Sequence, residues 1–358
     1  MPRKRSTALL SGLAMMLLAA CREGGTRTGG GAAGTPADTA AHGPFAFVTN
    51  EDSQNLTIID TGSDSVVAVI PVGNRPRGVR IGPGGRVFVA LSGSPKCPPT
   101  MQDAECARLR VDKSKDGIAV VNVAARRVER ILPGGSDPEA FDLSPDGLRL
   151  FVSNEDANTM SIVDAVSGAV VITVPVGTEP EGVGIHPDGR EVWVTGETDH
   201  DITILDTESG RRIGHIVVDA RPRGIAFAPD GRTAWVTAEV GGTLSFIDVA
   251  TRKVTAVLPM PAGSKPMGIA VAPDSVRLFV TTGRGGAVVV VDAGGRKVLG
   301  TVAVGTRPWG IAVTSDGAKI YTANGPSNDV TAVDAANLRV IRKIPVGSMP
   351  WGVAISPR

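Results

Sequence analysis

The chain has 358 residues with 45 Gly and 26 Pro, and 42% of it is hydrophobic. That length can bury a sizeable core, and the Gly and Pro call for many tight turns rather than long helices. A formal net charge of +1 lacks the basic excess on which bulk attraction to nucleic acid or an anionic membrane rests, so only local charged patches stay open.

Arg3, Lys4 and Arg5 precede an apolar run from Ala8 to Ala20 that is short for a membrane span. Residues 1–20 therefore read as an export signal. The run ends in Leu18-Ala19-Ala20-Cys21, which resembles the lipobox of bacterial lipoproteins. The resemblance implies cleavage before Cys21 and lipidation of its thiol; the alternative is an ordinary signal peptide with an incidental Cys. Arg22 rather than Asp at the next position points, by the sorting pattern of such lipoproteins, to the outer membrane. The expected location is the bacterial envelope, lipid-anchored and facing the periplasm. Residues 22–43 are Gly, Ala, Thr and Arg with almost no large apolar side chain. Such a segment cannot offset its ordering entropy, so residues 21–43 read as a lipidated Cys and a disordered tether.

From residue 44 onward the chain repeats itself. One acidic or amide residue closes a strand in each unit: Asp60, Asn122, Asp164, Asp206, Asp248, Asp292 and Asp334. The steps are 62, 42, 42, 42, 44 and 42 residues, the first being one repeat plus an insertion over residues 92–116. Units of this length match four-stranded propeller blades. In one copy the strands are Pro222-Arg223-Gly224-Ile225-Ala226-Phe227, Ala234-Trp235-Val236-Thr237, Thr243-Leu244-Ser245-Phe246-Ile247-Asp248 and Lys253-Val254-Thr255-Ala256-Val257-Leu258. Val, Ile, Thr and aromatics in short runs, broken by Pro229-Asp230-Gly231 and its like, are strands joined by tight turns. We label these A to D from the inside outward. The domain starts on a strand B at Phe45 and ends on a strand A at Trp351–Ile355. The last strand can therefore complete the first blade and close the ring. The expected fold is all-β, a seven-bladed propeller over residues 44–358.

The segments Val48-Thr49-Asn50, Ile58-Ile59-Asp60-Thr61, Pro345-Val346-Gly347 and Pro350-Trp351-Gly352-Val353-Ala354-Ile355-Ser356-Pro357 resemble the YVTN family of β-propeller repeats. Asp219-Ala220-Arg221-Pro222-Arg223-Gly224, Ala238-Glu239-Val240-Gly241-Gly242 and Asn324-Gly325-Pro326-Ser327-Asn328-Asp329-Val330 are similar to a subgroup found with pyrroloquinoline-quinone-dependent catabolism genes. The resemblance implies a role accessory to periplasmic quinoprotein-dependent catabolism. It is specific for fold and poorly specific for function, since propellers host many functions.

In a four-stranded meander the A–B and C–D turns share one face, and the B–C and D–A loops share the other. The D–A loops read x-Pro-x-Gly or nearly so at the mouth of the central channel. Their variable positions run Arg75/Arg77, Asp137/Glu139, Glu179/Glu181, Arg221/Arg223, Lys265/Met267, Arg307/Trp309 and Met349/Trp351. Three readings stand: a solvated rim of paired charges, a funnel for a polar or charged ligand with aromatic stacking, or a protein-docking face. In the ligand reading, binding rests on Arg221, Arg223, Arg307, Trp309 and Trp351. Glu51, Glu155, Glu197 and Glu239 recur in the B–C loops and are expected to pair with these arginines. A divalent cation is the alternative, disfavoured because no Asp-rich calcium loop is present. Trp193 and Trp235 fall in B strands and are expected to fill space between blades.

The insertion holds Cys97 and Cys106. In an exported domain a local disulfide is the expected state, with free thiols or a metal pair as alternatives; no nearby Cys or His completes four metal ligands. The four His are His42, His186, His200 and His215. They form no haem attachment motif and no multi-imidazole metal cluster, and neither a Gly-x-Ser-x-Gly elbow nor a phosphate-cradling loop exists. No cofactor or metal is expected, and a monomer is expected. Two function classes follow. One is a non-enzymatic binding or interaction protein working through the loop face. The other is a hydrolase or lactonase, with His200 or a glutamate as base and Arg221 or Arg223 stabilising an oxyanion.

Overall fold

A computed structural model of the chain describes residues 44–96, 101, 102, 105 and 108–357. The expectations for residues 1–43, including Cys21, and for Cys97 and Cys106 fall outside the described residues. Seven four-stranded antiparallel sheets form the domain, a seven-bladed β-propeller.

Blade five is representative, with strands Pro222–Phe227, Thr233–Ala238, Thr243–Asp248 and Lys253–Pro259 paired in that order. Its B and C strands are almost wholly buried while strand D alternates, as expected of sheets packed on both faces in the middle and exposed at the rim. The clusters of buried side chains lie between neighbouring blades: Trp235, Leu244 and Phe246 of blade five pack with Leu278, Val280 and Val289 of blade six.

The repeat marker has a local cause. The carboxylate of Asp60 accepts from the amides of Gly62 and Ser63, that of Asp248 from Thr251, and that of Asp334 from Ala336 and Asn337. Each Asp holds its own C–D turn by satisfying amides two or three residues on.

A second repeated device joins the blades. In blade five the Thr237 hydroxyl accepts from the Gly224 amide at 2.9 Å and donates to the Met267 carbonyl of blade six at 2.5 Å. Thr49 and Thr281 bridge in the same way to Arg77 and Trp309. The close approach explains the Gly of x-Pro-x-Gly. A Cβ on Gly224 or Gly310 would stand 2.6 Å from the next blade's carbonyl oxygen, closer than packing permits.

Blade one takes its inner strand from the other end of the chain. Pro350–Ile355 pairs antiparallel with Phe45–Asn50, aligning Ala46 with Ile355 and Val48 with Val353. Phe45 and Ser356 exchange two further hydrogen bonds.

Candidate functional site at the channel mouth

The backbone of the D–A loops sets the site. The residue before the Pro has positive φ in six of the seven loops: Arg75, Asp137, Glu179, Arg221, Arg307 and Met349. Because Arg, Asp, Glu and Met all adopt it, the conformation belongs to the fold and not to one functional residue. Its carbonyl accepts from the blade's own B–C loop. Glu51 N–H donates to Met349, Glu155 to Asp137, Glu197 to Glu179 and Glu239 to Arg221. These bonds place the four glutamates beside the D–A side chains.

Two ion-pair clusters result. Arg77 lies 3.4 Å from Glu51, 2.5 Å from Glu139 and 3.2 Å from Glu155, and Arg75 pairs with Glu51 at 2.9 Å. Arg223 pairs with Glu181, and lies 3.0 Å from both Glu197 and Glu239. Arg221 sits against Glu197 and 3.5 Å from Glu239. Arg77 and Arg223 are each about 12% exposed, so these are buried pairs rather than a screened rim.

The carboxylates respond to this crowding. Burial works to raise Glu139, but Arg77 outweighs it and holds the carboxyl well below its ordinary range. Glu155 is pushed far above that range, first by the Glu139 charge and then by burial. Both effects favour the protonated form of Glu155, which is hydrogen-bonded to Glu139. Burial also lifts Glu197 to about 7, against the pull of Arg221. Oxygens of Glu139, Glu155 and Glu181 lie within 4.8 Å of one another, a donor set of the kind a hard cation takes. Arg77 and Arg223 already supply the positive charge there.

Blades six and seven differ. Gly283 and Gly325 stand where Glu239 stands in blade five. A Cβ on Gly325 would fall 2.7 Å from the Trp309 ring, and one on Gly283 would fall 2.9 Å from the Met267 sulfur. Trp309 and Met267 thus occupy the space a side chain would need. Trp309 lies 6.5 Å from Trp351 between ring centroids, tilted by 40°. The Arg307 guanidinium sits 5.0 Å over Trp309, a cation–π geometry. Arg307 forms no ion pair among the described residues, and its buried Nε has no acceptor. Burial lowers its pKa first, and Arg284, Arg223 and Arg221 lower it further; a guanidinium nevertheless stays charged.

Below the mouth the A strands enclose a cavity of about 170 Å³ reaching from Glu181 and Arg223 to Trp309 and Trp351. It is too small for a drug-sized molecule, so a ligand of that size would rest at the mouth. The insertion flanks the mouth: Lys96 reaches Asp52 of blade one at 2.9 Å, and Lys113 binds Asp156 of blade three. Arg75, Arg77, Glu139, Glu181, Glu197, Arg221, Arg223 and Glu239 are thus gathered into the ion-pair clusters, while Arg307, Trp309 and Trp351 stand apart from them. His200 keeps Nδ1 against loop backbone, 3.2 Å from the Arg221 amide nitrogen. Sequence reasoning missed Gly283, Gly325 and Arg284; the signal was the change from Glu to Gly at one repeat position.

No family model and no curated protein matches the chain. Solved structures do. A hydrazine synthase chain of Kuenenia stuttgartiensis is 21% identical, with a TM-score of 0.70 over 86% of this chain and 99% of that one. A functionally unknown protein from Desulfotomaculum acetoxidans is 15% identical, with a TM-score of 0.73 over 88% and 99%. A candidate 6-phosphogluconolactonase from Bacteroides fragilis is 14% identical, with a TM-score of 0.71 over 90% and 100%. At such identities the likeness is one of fold, and it places this chain among seven-bladed β-propellers.

Proposed function

We propose that the chain is a non-enzymatic binding protein of the bacterial envelope, anchored through Cys21, whose loop face takes an anionic ligand with a flat or apolar body at Arg307, Trp309 and Trp351. The observation carrying this reading is the state of Arg307: a cation stacked on Trp309, with a buried Nε that no acceptor meets. An anion supplies that acceptor, and the tryptophans offer it a surface. Arg221 and Arg223 act as struts that hold the glutamates rather than as ligand contacts. The repeat residues keep their YVTN character in this reading, and a role accessory to quinoprotein-dependent catabolism is consistent with an envelope-anchored binder.

Calorimetric titration with a panel of carboxylates and phosphates tests it. Arg307→Ala should weaken the best ligand roughly tenfold or more, and the wild-type affinity should fall with added salt. Equal affinity in the variant would refute the site. Mass spectrometry of the mature protein should find an acylated N-terminal Cys21.

A second reading, a lactonase, draws on one observation: Glu197, lifted to about 7, is poised as a general base beside Arg221. Hydrolysis of a lactone panel that is lost in Glu197→Gln would favour it over the binding protein.

A further inference from the structure

On the face opposite the mouth, each wedge between blades receives one large aromatic from strand B. In four blades it is Phe and needs no polar partner. In the other three it carries a donor, and two of those donors meet a carboxylate. Trp193 Nε1 donates to Glu191 at 3.0 Å. The other Glu191 oxygen accepts from Arg252, on the C–D turn of the next blade, at 2.7 Å. Between blades seven and one, the Tyr321 hydroxyl donates to Asp64, which also accepts from Lys319 at 2.7 Å.

The wedge between blades five and six has the same parts without the carboxylate. Trp235 stands where Trp193 does, and Thr233 replaces Glu191. Arg296 stands where Arg252 does, with the same positive φ. Its guanidinium lies 5.7 Å over the Phe246 ring, and Nη1 donates to the Thr255 carbonyl at 3.3 Å. Trp235 is only 3% exposed, and its Nε1 has no acceptor. In place of a filled wedge there is a groove of about 530 Å³ lined by Thr233, Trp235, Phe246, Ile247 and Arg296. Asp230 and Asp248 also line it, but their carboxylates accept from the Arg232 and Thr251 amides of their own turns. Asp206 stands at the position of Asp248 beside the filled wedge and is held in the same way, so these aspartates are compatible with a further carboxylate.

We propose that this groove is a binding site for the carboxylate of a small organic acid with an apolar body. The acid group takes the place Glu191 fills one blade earlier, accepting from Trp235 Nε1 and pairing with Arg296. Its body lies against Phe246 and Ile247. A buried N–H left without an acceptor is costly, and a charge-assisted pair is the strong way to satisfy it. The site is independent of the channel mouth.

The chain has four Trp, so the indole N–H region of a ¹H–¹⁵N spectrum separates the outcomes, with Trp235 assigned through Trp235→Phe. Titrated benzoate should shift the Trp235 indole signal saturably and leave Trp193 in place. Arg296→Gln should weaken that response roughly tenfold. Thr233→Glu should move the Trp235 signal as Glu191 positions that of Trp193, and should abolish the response to benzoate. The proposal fails if Trp235 does not respond, as it would if water alone satisfied the N–H. It also fails if benzamide acts as well as benzoate, or if Thr233→Glu leaves the response intact. A blocked glutamate peptide that shifts Trp235 where benzoate does not would assign the groove to a protein side chain and overturn the small acid.

Discussion

The two arcs of the channel mouth use one backbone and reach opposite electrostatic states. From blade one to blade five, B–C glutamates meet D–A arginines, and the buried Arg77 and Arg223 each have several carboxylate partners. In blades six and seven the glutamate becomes Gly, a thioether or an indole fills the gap, and Arg307 is left without a carboxylate. The contrast separates charge that organises the ring from charge that no carboxylate meets. The arginines of the D–A loops are thus two populations, divided by what stands one loop away.

The largest expected effect tests the paired arc. Arg223→Ala leaves Glu181 without a cation and Glu197 and Glu239 with Arg221 alone, and should cost about 3–5 kcal/mol in denaturant unfolding, the usual toll of breaking a buried pair. Arg307→Ala should instead change unfolding by less than about 1 kcal/mol, since no partner is orphaned. If the two variants unfold alike, the division of the mouth is wrong.

Acidity gives a second handle on the paired arc. A carboxyl whose folded pKa lies above its unfolded value binds more protons when folded. Its stability contribution is whole below the unfolded value of about 4.5 and is lost as pH rises through the folded pKa. Glu155 and Glu197 are both of this kind, while Glu139 acts in the opposite sense, losing stability only as pH falls below 4.5. Stability should therefore decline between about pH 5 and about pH 8, and Glu155→Gln should flatten that decline. A wild-type curve that rises across this window would contradict the assignment.

A further variant sharpens the bare arc. Gly325→Ala puts a methyl against the Trp309 ring and should shift tryptophan emission and weaken ligand binding a few-fold, with unfolding changed by about 1–3 kcal/mol from overpacking. Unchanged emission would mean that Trp309 does not rely on the space Gly325 leaves.

Much of the fold was legible because its signals are local. Asp60, Asp164 and Asp248 each hold a turn two or three residues away, so the chain displays the blade count directly. Pro-x-Gly marked the D–A loops for a similar reason, although the contact requiring Gly is with the next blade. The mouth was less legible. Its charged positions could be read off the repeat, but the set of carboxylates around Arg77 spans blades one to three. That grouping depends on blade-to-blade geometry. The bare arc was hidden in two glycines, and the Trp235 groove in the absence of one glutamate. A repeat shows such losses only when its copies are compared position by position.

Closure of blade one by Pro350–Ile355 has a consequence for the order of events during synthesis. The two halves of that sheet are separated by about 300 residues in sequence, the longest loop the molecule must close, and closure entropy grows with that length. Of the described strands, Phe45–Asn50 leaves the ribosome first and its inner partner leaves last. Translation at roughly 5–20 residues per second leaves that early edge unpaired for tens of seconds. The ring therefore passes through an open stage whose exposed edge is a template for pairing with another chain, and the pairing of Pro350–Ile355 is the step that retires it.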